Sequence, residues 1–254
     1  MPILILGSSG NIGNVLTEAL IEKSDKDIIR IDRIIPNSQI SSKCETHQID
    51  FVQDGFPQSL RDRISKSREE VVAINLIAKD YPIKRSIERS NLSSSPFGLS
   101  VEEVTESYRL TLGSSYRLIK DMHELKPKSY HVILTGSIYA FNPPNHSVYN
   151  DEGSQNMVFK PISYSLAKSA QHMLLREACK ILGSKKARFN MLSFGGIDLQ
   201  QDESFKARYC SVTPNQSMVT IEEVCSSYLN LIFESPVSMN GSNILVDGGW
   251  CCAN

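Results

Sequence analysis

Residues 2–13 read PILILGSSGNIG, an apolar run that passes directly into a turn with three glycines. The run predicts a buried β-strand, and the apolar residues between Ile12 and Leu20 recur at the 3.6-residue period of a helix. A Gly-rich turn between strand and helix aims bare backbone N–H groups and the positive end of the helix dipole at one point, which suits a pyrophosphate. We therefore expect a dinucleotide-binding turn formed by Gly7, Ser9, Gly10, Asn11, Ile12 and Gly13.

Short apolar, β-branched runs alternate with helical patterns along the rest of the chain. We predict strands at 2–6, 27–31, 46–50, 71–77, 131–135, 188–193 and 243–246. Such alternation is typical of a parallel sheet with helices on both faces. We therefore expect a single α/β domain over residues 1–254, with the three-layer, doubly wound arrangement that binds ligands beyond the carboxyl ends of its strands.

The composition is that of an ordinary soluble globular protein, with 41% hydrophobic residues, 22% charged residues and a formal net charge of −1. This balance gives no general attraction to nucleic acid or to an anionic membrane, and no apolar run approaches the roughly 18 residues of a membrane span. The apolar start reads as a strand rather than a secretion signal, and the six Cys lack a repeating spacing, so we expect a cytoplasmic protein with reduced thiols. Cys44 and His47 have the spacing of half a zinc site, but no second pair completes it, so we expect no metal.

An acidic residue ends the second predicted strand at the distance from the glycines that a ribose-binding carboxylate requires. Asp32 lies about 20 residues beyond Gly13, so it would accept hydrogen bonds from the adenosine ribose. A carboxylate there repels a 2′-phosphate and favours NAD, although the neighbouring Arg33 leaves NADP as an alternative. Asp50 and Phe51 follow the third strand, where Asp50 would either receive the adenine amino group or be a plain carboxylate at a strand end.

Tyr164 and Lys168 stand four residues apart in ISYSLAKSA, behind Pro161, and a strand ending in Ser137 precedes them. Residues four apart on a helix share a face, so a phenol and an ammonium would point side by side toward the Ser137 hydroxyl. That is the outline of a proton-transfer site. Chance also produces this spacing, as in SSYRLIKDM at 114–122, but that copy lacks a strand that bears a hydroxyl, so we expect its Tyr to pack and its Lys to be solvated.

Three segments interrupt the alternation of strands and helices: a Ser-rich stretch at 91–100, a loop at 141–160 and a loop at 198–219. The last two follow the carboxyl ends of predicted strands, where open α/β sheets bind ligands. We expect them to contact substrate, with long surface connections as the alternative.

Six features occur in the order typical of the short-chain dehydrogenase/reductase family, and the chain resembles that family over essentially its whole length. They are the Gly-rich turn, Asn75 in INLIA, Ser137, Tyr164-x-x-x-Lys168, the Gly195-Gly196 pair and the closing NILVDGGW at 243–250. The resemblance implies a seven-stranded Rossmann sheet and a nicotinamide dinucleotide. It also implies that the dinucleotide contacts Asn75, Leu76, Ile77, Ala78, Tyr164, Lys168, Gly195, Gly196 and Ile197.

By the same resemblance, Tyr164 would be the general acid/base, Ser137 would hydrogen-bond the substrate oxygen, and Lys168 would hold the nicotinamide ribose. A free Tyr has a pKa near 10, so lowering it by about 3 units takes roughly 4 kcal/mol, which an ammonium and a cationic nicotinamide could supply. The family also commonly forms homodimers and homotetramers, which would place Trp250 and the adjacent cysteines at a subunit contact or at the substrate mouth.

The sequence departs from the family pattern at several points. Thr111 stands where an Asn usually supports a proton-relay water, and Phe194 replaces the Pro common before Gly195. The Gly spacing and the long gap before Tyr164 resemble the branch that modifies sugar nucleotides, and the end of the chain is similar to oxidoreductases associated with flagellin modification and nonulosonic acid sugars. A sugar-like substrate is therefore expected, held by Ser137, Tyr139, His146, Tyr149 and Asn150.

The sequence thus predicts an NAD(P)-dependent oxidoreductase that transfers a hydride between nicotinamide and a secondary alcohol or carbonyl. Two alternatives stay open. One is an epimerase or dehydratase of sugars or sugar nucleotides that uses bound NAD without net redox, and the other is a dinucleotide-binding sensor without catalysis. The expected partners are a small-molecule substrate and further copies of the chain.

Overall fold

The structure, a computed structural model, describes residues 1–35, 44–81, 95, 97–151, 157–199 and 201–253. Within these ranges, seven strands form one parallel sheet in the order β3-β2-β1-β4-β5-β6-β7. The strands are β1 (Pro2–Leu6), β2 (Asp27–Asp32), β3 (Cys44–Gln48), β4 (Glu70–Asn75), β5 (Ser129–Ser137), β6 (Ala187–Phe194) and β7 (Asn243–Val246). All seven predicted strands and the predicted fold class are confirmed.

Helices cover both faces of the sheet. They are α1 (Asn11–Lys23), α2 (Phe51–Asp54), α3 (Gln58–Ser65), α4 (Val101–Tyr108), α5 (Ser114–Leu125), α6 (Ile162–Leu182), α7 (Glu203–Ser211), α8 (Ile221–Phe233) and α9 (Trp250–Ala253). A π-helical turn at Arg109–Gly113 joins α4 to α5.

Alternate residues of each strand feed two separate cores, as a period of two requires. On one face, Leu4 and Leu6 of β1 pack with residues of α2, α3, α5 and α6. On the other face, Ile3 and Ile5 pack with α1 and α8. The central strands are buried on both sides, which explains their nearly continuous apolar sequences.

The order of the strands reverses at β1, which pairs with β2 on one side and with β4 on the other. Leu6 of β1 aligns with Ile31 of β2 on one side and with Asn75 of β4 on the other. Chain connections therefore leave the two sides of β1 in opposite directions, and a crevice opens beyond the carboxyl ends of the strands. This crevice holds the candidate site.

Two expectations about local structure are wrong. Strand β3 ends at Gln48 rather than at residue 50, because Asp50 instead caps α2 by accepting N–H bonds from Val52 and Gln53. Tyr116 is 60% exposed rather than packed. The Lys of that second pair, Lys120, is solvated as expected and contacts Glu124 at 2.7 Å.

The C-terminal tryptophan is also placed differently from the expectation. Trp250 is fully buried and stacks on Tyr209, with ring centroids 4.5 Å apart and an interplanar angle of 16°. A fully buried ring is not available as a subunit contact, so of the two expected positions only the one near the substrate mouth stays a prediction. Among the helices of the described ranges, none combines the length and the apolar character that crossing a membrane requires.

Half of the Ser-rich stretch 91–100 (residues 91–94 and 96) lies outside the described residues, as do residues 152–156 of the loop 141–160 and residue 200 of the loop 198–219. Within the loop 198–219, residues Glu203–Ser211 form α7, whose first turn is capped by Asp202 through a 2.8 Å bond from the N–H of Phe205.

Candidate active site

The Gly-rich turn between β1 and α1 is built by close backbone contacts. Gly7 has φ +78°, a conformation that favours glycine, and a Cβ at Gly13 would lie 2.5 Å from the Gly7 carbonyl oxygen. A Cβ at Gly10 would meet only that same oxygen at 3.5 Å, so the space above Gly10 is open. The turn therefore has room on the side toward which the first N–H groups of α1 point.

Two serine hydroxyls at this turn fit a phosphate ligand. The Oγ atoms of Ser8 and Ser9 are buried and have no hydrogen-bond partner in the part of the chain that the structure describes. Buried hydroxyls without partners are uncommon in folded proteins, so phosphate oxygens would satisfy them. Arg30 supports the turn from below, because its fully buried guanidinium donates to the Ser8 carbonyl at 2.9 Å and to Asn14 Oδ1 at 2.8 Å.

A cavity of about 410 Å³ extends from the turn over the ends of β2 and β3. Besides Gly7 and Gly10, it brings together eight of the predicted cofactor residues: Ser9, Asp32, Arg33, Asp50, Phe51, Leu76, Ile77 and Ala78. Asp32 Oδ2 accepts the N–H of Ser9 at 2.8 Å, which ties the ribose-binding carboxylate to the turn. Ile34, Ile49, Val52 and Leu110 also line the cavity and were not predicted.

Asn11, Ile12, Gly13 and Asn75 were predicted to bind the cofactor, but the described lining of this cavity does not include them. The Asn75 side chain is fully buried, donates to the hydroxyls of Ser114 and Ser115 at 2.9 Å each, and accepts the N–H of Ile77 at 3.0 Å. Asn75 therefore fixes the turn after β4, whose next residues reach the cavity.

Three of the four predicted catalytic residues come together at the carboxyl end of β5. Ser137 is the last residue of β5, and Tyr164 stands in the first turn of α6, where both line one cavity. Lys168 is one turn further along, with Nζ 5.8 Å from the centre of the Tyr164 ring. Lys168 is almost fully buried and donates to the Thr135 carbonyl at 2.5 Å and to Gln171 Oε1 at 3.2 Å.

Burial governs the protonation of this group of residues. It raises the pKa of Tyr164 above its ordinary value, the charge of Asp80 raises it further, and the hydrogen bond with Ser137 acts in the opposite direction. Burial lowers the pKa of Lys168 to about 8, an effect that Asp80 partly opposes. Without further positive charge nearby, the protein alone therefore favours a neutral phenol.

A second cavity of about 600 Å³ opens beside Tyr164 and Ser137. The predicted residues Tyr139, Tyr149, Gly195, Gly196 and Ile197 line it. The residues that the sequence did not single out are Asp80, Ile138, Lys160, Leu199, Gln201, Asp202, Phe205, Arg208, Tyr209 and Met218. Seven of these lie in 198–219, the loop expected to contact substrate.

His146 and Asn150 were predicted to contact substrate, but the described lining of this cavity does not include them. Asn150 is buried and holds its own loop together, because its amide donates to the carbonyls of His146 and Val158 and accepts the N–H of Val158 at 2.6 Å. His146 packs edge-on against Phe159, with ring centroids 5.1 Å apart. Both polar side chains therefore serve the loop rather than the cavity.

The Gly195-Gly196 pair is packed against an aromatic side chain that the sequence did not indicate. Tyr209 of α7 accepts the N–H of Gly196 at 2.6 Å, and its ring lies 2.8 Å from where a Cβ at Gly196 would stand. Phe194, which precedes the pair, is buried against Tyr228. Tyr209 therefore fixes the position of Gly196, and the buried Phe194 fixes the residue that precedes the pair.

A family model described as enoyl-(acyl carrier protein) reductase matches residues 89–251, which is more than half of the chain. The chain belongs to the short-chain dehydrogenase/reductase family. The "post-translational flagellin modification protein A" of Campylobacter coli is 22% identical over 98% of this chain and 97% of its own length. A sorbose reductase of Schizosaccharomyces pombe is 27% identical over 46% of this chain and 52% of its own.

Among solved structures, a short-chain dehydrogenase from Leptospira borgpetersenii with bound NAD⁺ has a TM-score of 0.77 and 21% identity. That comparison covers 98% of this chain and 92% of the other. The expected cofactor, NAD with NADP possible, agrees with the dinucleotide in this short-chain dehydrogenase/reductase relative. The suspected relationship to flagellin-modification oxidoreductases agrees with the Campylobacter protein.

Within the short-chain dehydrogenase/reductase framework, Thr111 lies in the π-helical turn and is fully buried. Its Oγ1 accepts the N–H of Lys79 at 3.2 Å, and its carbonyl accepts the hydroxyls of Ser114 at 3.3 Å and Ser115 at 3.0 Å. The hydroxyl oxygen and the carbonyl oxygen of Thr111 are thus both engaged in hydrogen bonds with other residues of the protein. The catalytic role of Thr111 therefore stays a prediction that its surroundings do not favour.

Proposed function

We propose that this protein is an NAD(P)-dependent oxidoreductase that transfers a hydride between nicotinamide and a secondary alcohol or carbonyl, with Tyr164 as the general acid/base. The observation that carries the proposal is that Ser137 and Tyr164 line one cavity together with Gly195 and Gly196. A hydroxyl and a phenol at the end of one strand can hold a single substrate oxygen between them.

The Gly-rich turn, with the unpartnered hydroxyls of Ser8 and Ser9, would hold the pyrophosphate, and Asp32 would hold the adenosine ribose. When bound, the nicotinamide supplies the acceptor or donor for the hydride. In the oxidation direction, Tyr164 as phenolate takes the hydroxyl proton of the substrate while the hydride leaves its carbon. In reduction, the neutral phenol returns that proton to the carbonyl oxygen.

Lys168 supplies positive charge beside the phenol. Burial lowers the pKa of Lys168 to about 8, so the ammonium is mostly protonated at pH 7 and favours the phenolate. The cationic form of nicotinamide would act in the same direction. These two charges oppose the burial that raises the pKa of Tyr164.

We further propose a sugar-like substrate. Its support is the mixture of aromatic rings and hydroxyls around the cavity of about 600 Å³, where Tyr139 and Tyr149 share a 2.7 Å hydrogen bond and the Tyr149 ring lies 5.4 Å from that of Phe205. Aromatic faces suit the C–H faces of a sugar, and hydroxyls suit its O–H groups. The sorbose reductase and the flagellin modification protein among the relatives point in the same direction.

The assignment of Tyr164 is tested with Tyr164→Phe, assayed on a panel of sugars and alcohols. We expect turnover to fall by about 10²–10⁴-fold while the Kd for NADH changes little, because the ring remains and only the proton donor is lost. Tyr116→Phe in the second Tyr-x-x-x-Lys copy is the matched control and should keep full activity. Undiminished activity in Tyr164→Phe would contradict the proposal, and product formed without NADH would indicate internal redox instead.

A homo-oligomer is proposed on the basis of an exposed apolar stripe along α6. Leu166, Met173 and Ile181 are 42%, 51% and 72% exposed and fall on one side of the helix. Such a stripe is typical of a surface that another chain covers. A solution mass equal to one chain, measured by light scattering, would contradict this.

A further inference from the structure

An ion pair lines the cavity next to the acid/base group. Lys160 Nζ lies 2.6 Å from Asp80 Oδ2, and both residues are part of the cavity wall that includes Ser137 and Tyr164. The Lys160 side chain is only 10% exposed, whereas that of Asp80 is 46% exposed. The pair joins the loop after β4 to the segment before α6, two regions 80 residues apart in sequence.

Lys160 stands directly over the Tyr164 ring. Its Nζ is 4.8 Å from the ring centre, closer than the 5.8 Å of Lys168 Nζ. The two ammonium groups come from positions four residues before and four residues after Tyr164. A cation over an aromatic ring is attracted to it, and the attraction grows when the phenol becomes a phenolate.

Asp80 acts on Tyr164 in the opposite sense, because a carboxylate near a phenol opposes its ionisation. The charge of Asp80 raises the pKa of both Tyr164 and Lys168. Lys160 Nζ lies 2.6 Å from the Asp80 carboxylate and 4.8 Å from the ring centre, so its positive charge opposes that of Asp80 at the phenol. Without Lys160, the carboxylate would act on the phenol alone.

The other charged residues that line the cavity in the described part of the chain, Asp202 and Arg208, are engaged elsewhere, since Asp202 caps α7 and Arg208 pairs with Asp151. The aromatic neighbours of Tyr164 are neutral. Tyr139 faces it from the 3₁₀ turn after β5, and burial raises the pKa of Tyr139 to about 12. Tyr149 and Tyr209 belong to the same aromatic cluster, and burial raises their pKa values as well, so both stay neutral. The Ser137 hydroxyl lowers the pKa of Tyr164 and carries no charge. Among the described residues at the phenol, Asp80, Lys160 and Lys168 are therefore the charges that matter.

We propose that Lys160 and Asp80 form a paired control on the acid/base group, in which Lys160 shields Tyr164 from the Asp80 carboxylate and so sets the pH range in which Tyr164 works. Both act as positioning residues for charge around the phenol. The inference rests on the proposed function, because it assumes that Tyr164 exchanges the proton.

The test compares Lys160→Met with the double variant Lys160→Met/Asp80→Asn. In Lys160→Met the Asp80 carboxylate lacks its partner, so we expect the pH midpoint of kcat/KM for oxidation to rise by about one unit. At a pH below the midpoint, this shift lowers kcat/KM about tenfold. In the double variant the carboxylate charge is gone, so the midpoint should return at least halfway to that of the wild type. Lys120→Met, which breaks the surface pair with Glu124, is the matched control and should leave the profile unchanged.

A second readout does not depend on turnover. The phenolate absorbance of each variant is titrated with pH, and the titration of the same protein carrying Tyr164→Phe is subtracted. The Tyr164 midpoint should follow the same order: wild type lowest, Lys160→Met highest, the double variant between them. Thermal melting curves identify any loss of folding.

A Lys160→Met profile that superimposes on the wild type would overturn the inference. So would a double variant no closer to the wild type than Lys160→Met, or a uniform loss of kcat with a lower Tm and an unmoved midpoint. Active Tyr164→Phe enzyme would instead contradict the proposed function. Inactive Tyr164→Phe together with an unshifted Lys160→Met contradicts only the paired control.

Discussion

The ammonium of Lys168 donates a hydrogen bond to Gln171 Oε1 at 3.2 Å, three residues further along α6. The Gln171 amide donates in turn to Ser115 Oγ at 2.8 Å, and Gln171 is fully buried. A carboxamide accepts and donates hydrogen bonds but does not readily pass a proton along. Gln171 therefore holds the Lys168 ammonium in place from within the core and acts as a positioning residue for it.

We predict that Gln171→Leu and Gln171→Glu shift activity in opposite directions as pH rises toward 8. The pKa of Lys168 is lowered to about 8 by burial. Removing an acceptor disfavours the ammonium, so Gln171→Leu should lose several-fold more activity at pH 8 than at pH 6.5. A carboxylate in Gln171→Glu favours the ammonium, so its activity should hold through pH 8. Identical pH profiles for both variants would contradict the positioning role.

The carboxylate of Asp32 should determine the preference for NAD over NADP. Asp32 lines the cofactor cavity, and Asp32→Asn removes the charge but keeps an oxygen that can accept the Ser9 N–H. Repulsion of a 2′-phosphate disappears, so the ratio of kcat/KM for NADPH to that for NADH should rise by about 10–100-fold, or roughly 1.4 kcal/mol per tenfold. Asp54→Asn changes the same charge on the exposed surface of α2 and should leave the ratio unchanged.

Most of the fold could be predicted from the sequence because the central strands are short apolar runs that the two cores bury on both sides. Ser137, Tyr164 and Lys168 could be identified because a strand and a helix, both regular, fix their relative positions. The ion pair of Lys160 with Asp80 could not, since its partners lie in loops 80 residues apart. Lys160 does stand four residues before Tyr164, a signal that could have found it.

The polar residues of the loop 141–160 were harder to interpret because a polar side chain can serve substrate or its own loop. Asn150 uses both atoms of its amide on the loop backbone, which the sequence does not reveal. The stack of Trp250 on Tyr209 was equally hidden, since the two residues come from separate elements. Their contact depends on how α7 folds over the Gly195-Gly196 pair.

The Tyr209 hydroxyl should help to hold the nicotinamide end of the site. Tyr209→Phe keeps the stack on Trp250 but leaves the Gly196 N–H without its 2.6 Å acceptor. We expect the KM for the cofactor to rise by several-fold and the free energy of unfolding to fall by about 1–3 kcal/mol. Tyr116→Phe, at an exposed position, is the control for both measurements. An unchanged KM would show that the Gly pair holds its position without Tyr209.

A histidine far from the crevice should make the protein sensitive to acid. His131 of β5 is fully buried, and its Nε2 lies 2.9 Å from Asn190 Nδ2, from which it accepts a hydrogen bond when neutral. Burial, and then the charge of Arg188, lower the pKa of His131 to about 3. The ordinary value is 6.5, so between pH 6.5 and about 3 the unfolded chain binds a proton that the folded chain does not.

The free energy of unfolding should therefore fall as pH falls through that window. His131→Gln keeps an acceptor for Asn190 but does not titrate, so this part of the acid loss should vanish. Relative to the wild type, the variant should gain about 2 kcal/mol between pH 7.5 and pH 5, measured by urea unfolding, because 1.5 pH units below 6.5 correspond to about that energy. His123→Gln, on the exposed side of α5, should run parallel to the wild type. If His131→Gln also runs parallel, the buried imidazole is not the group that carries this acid sensitivity.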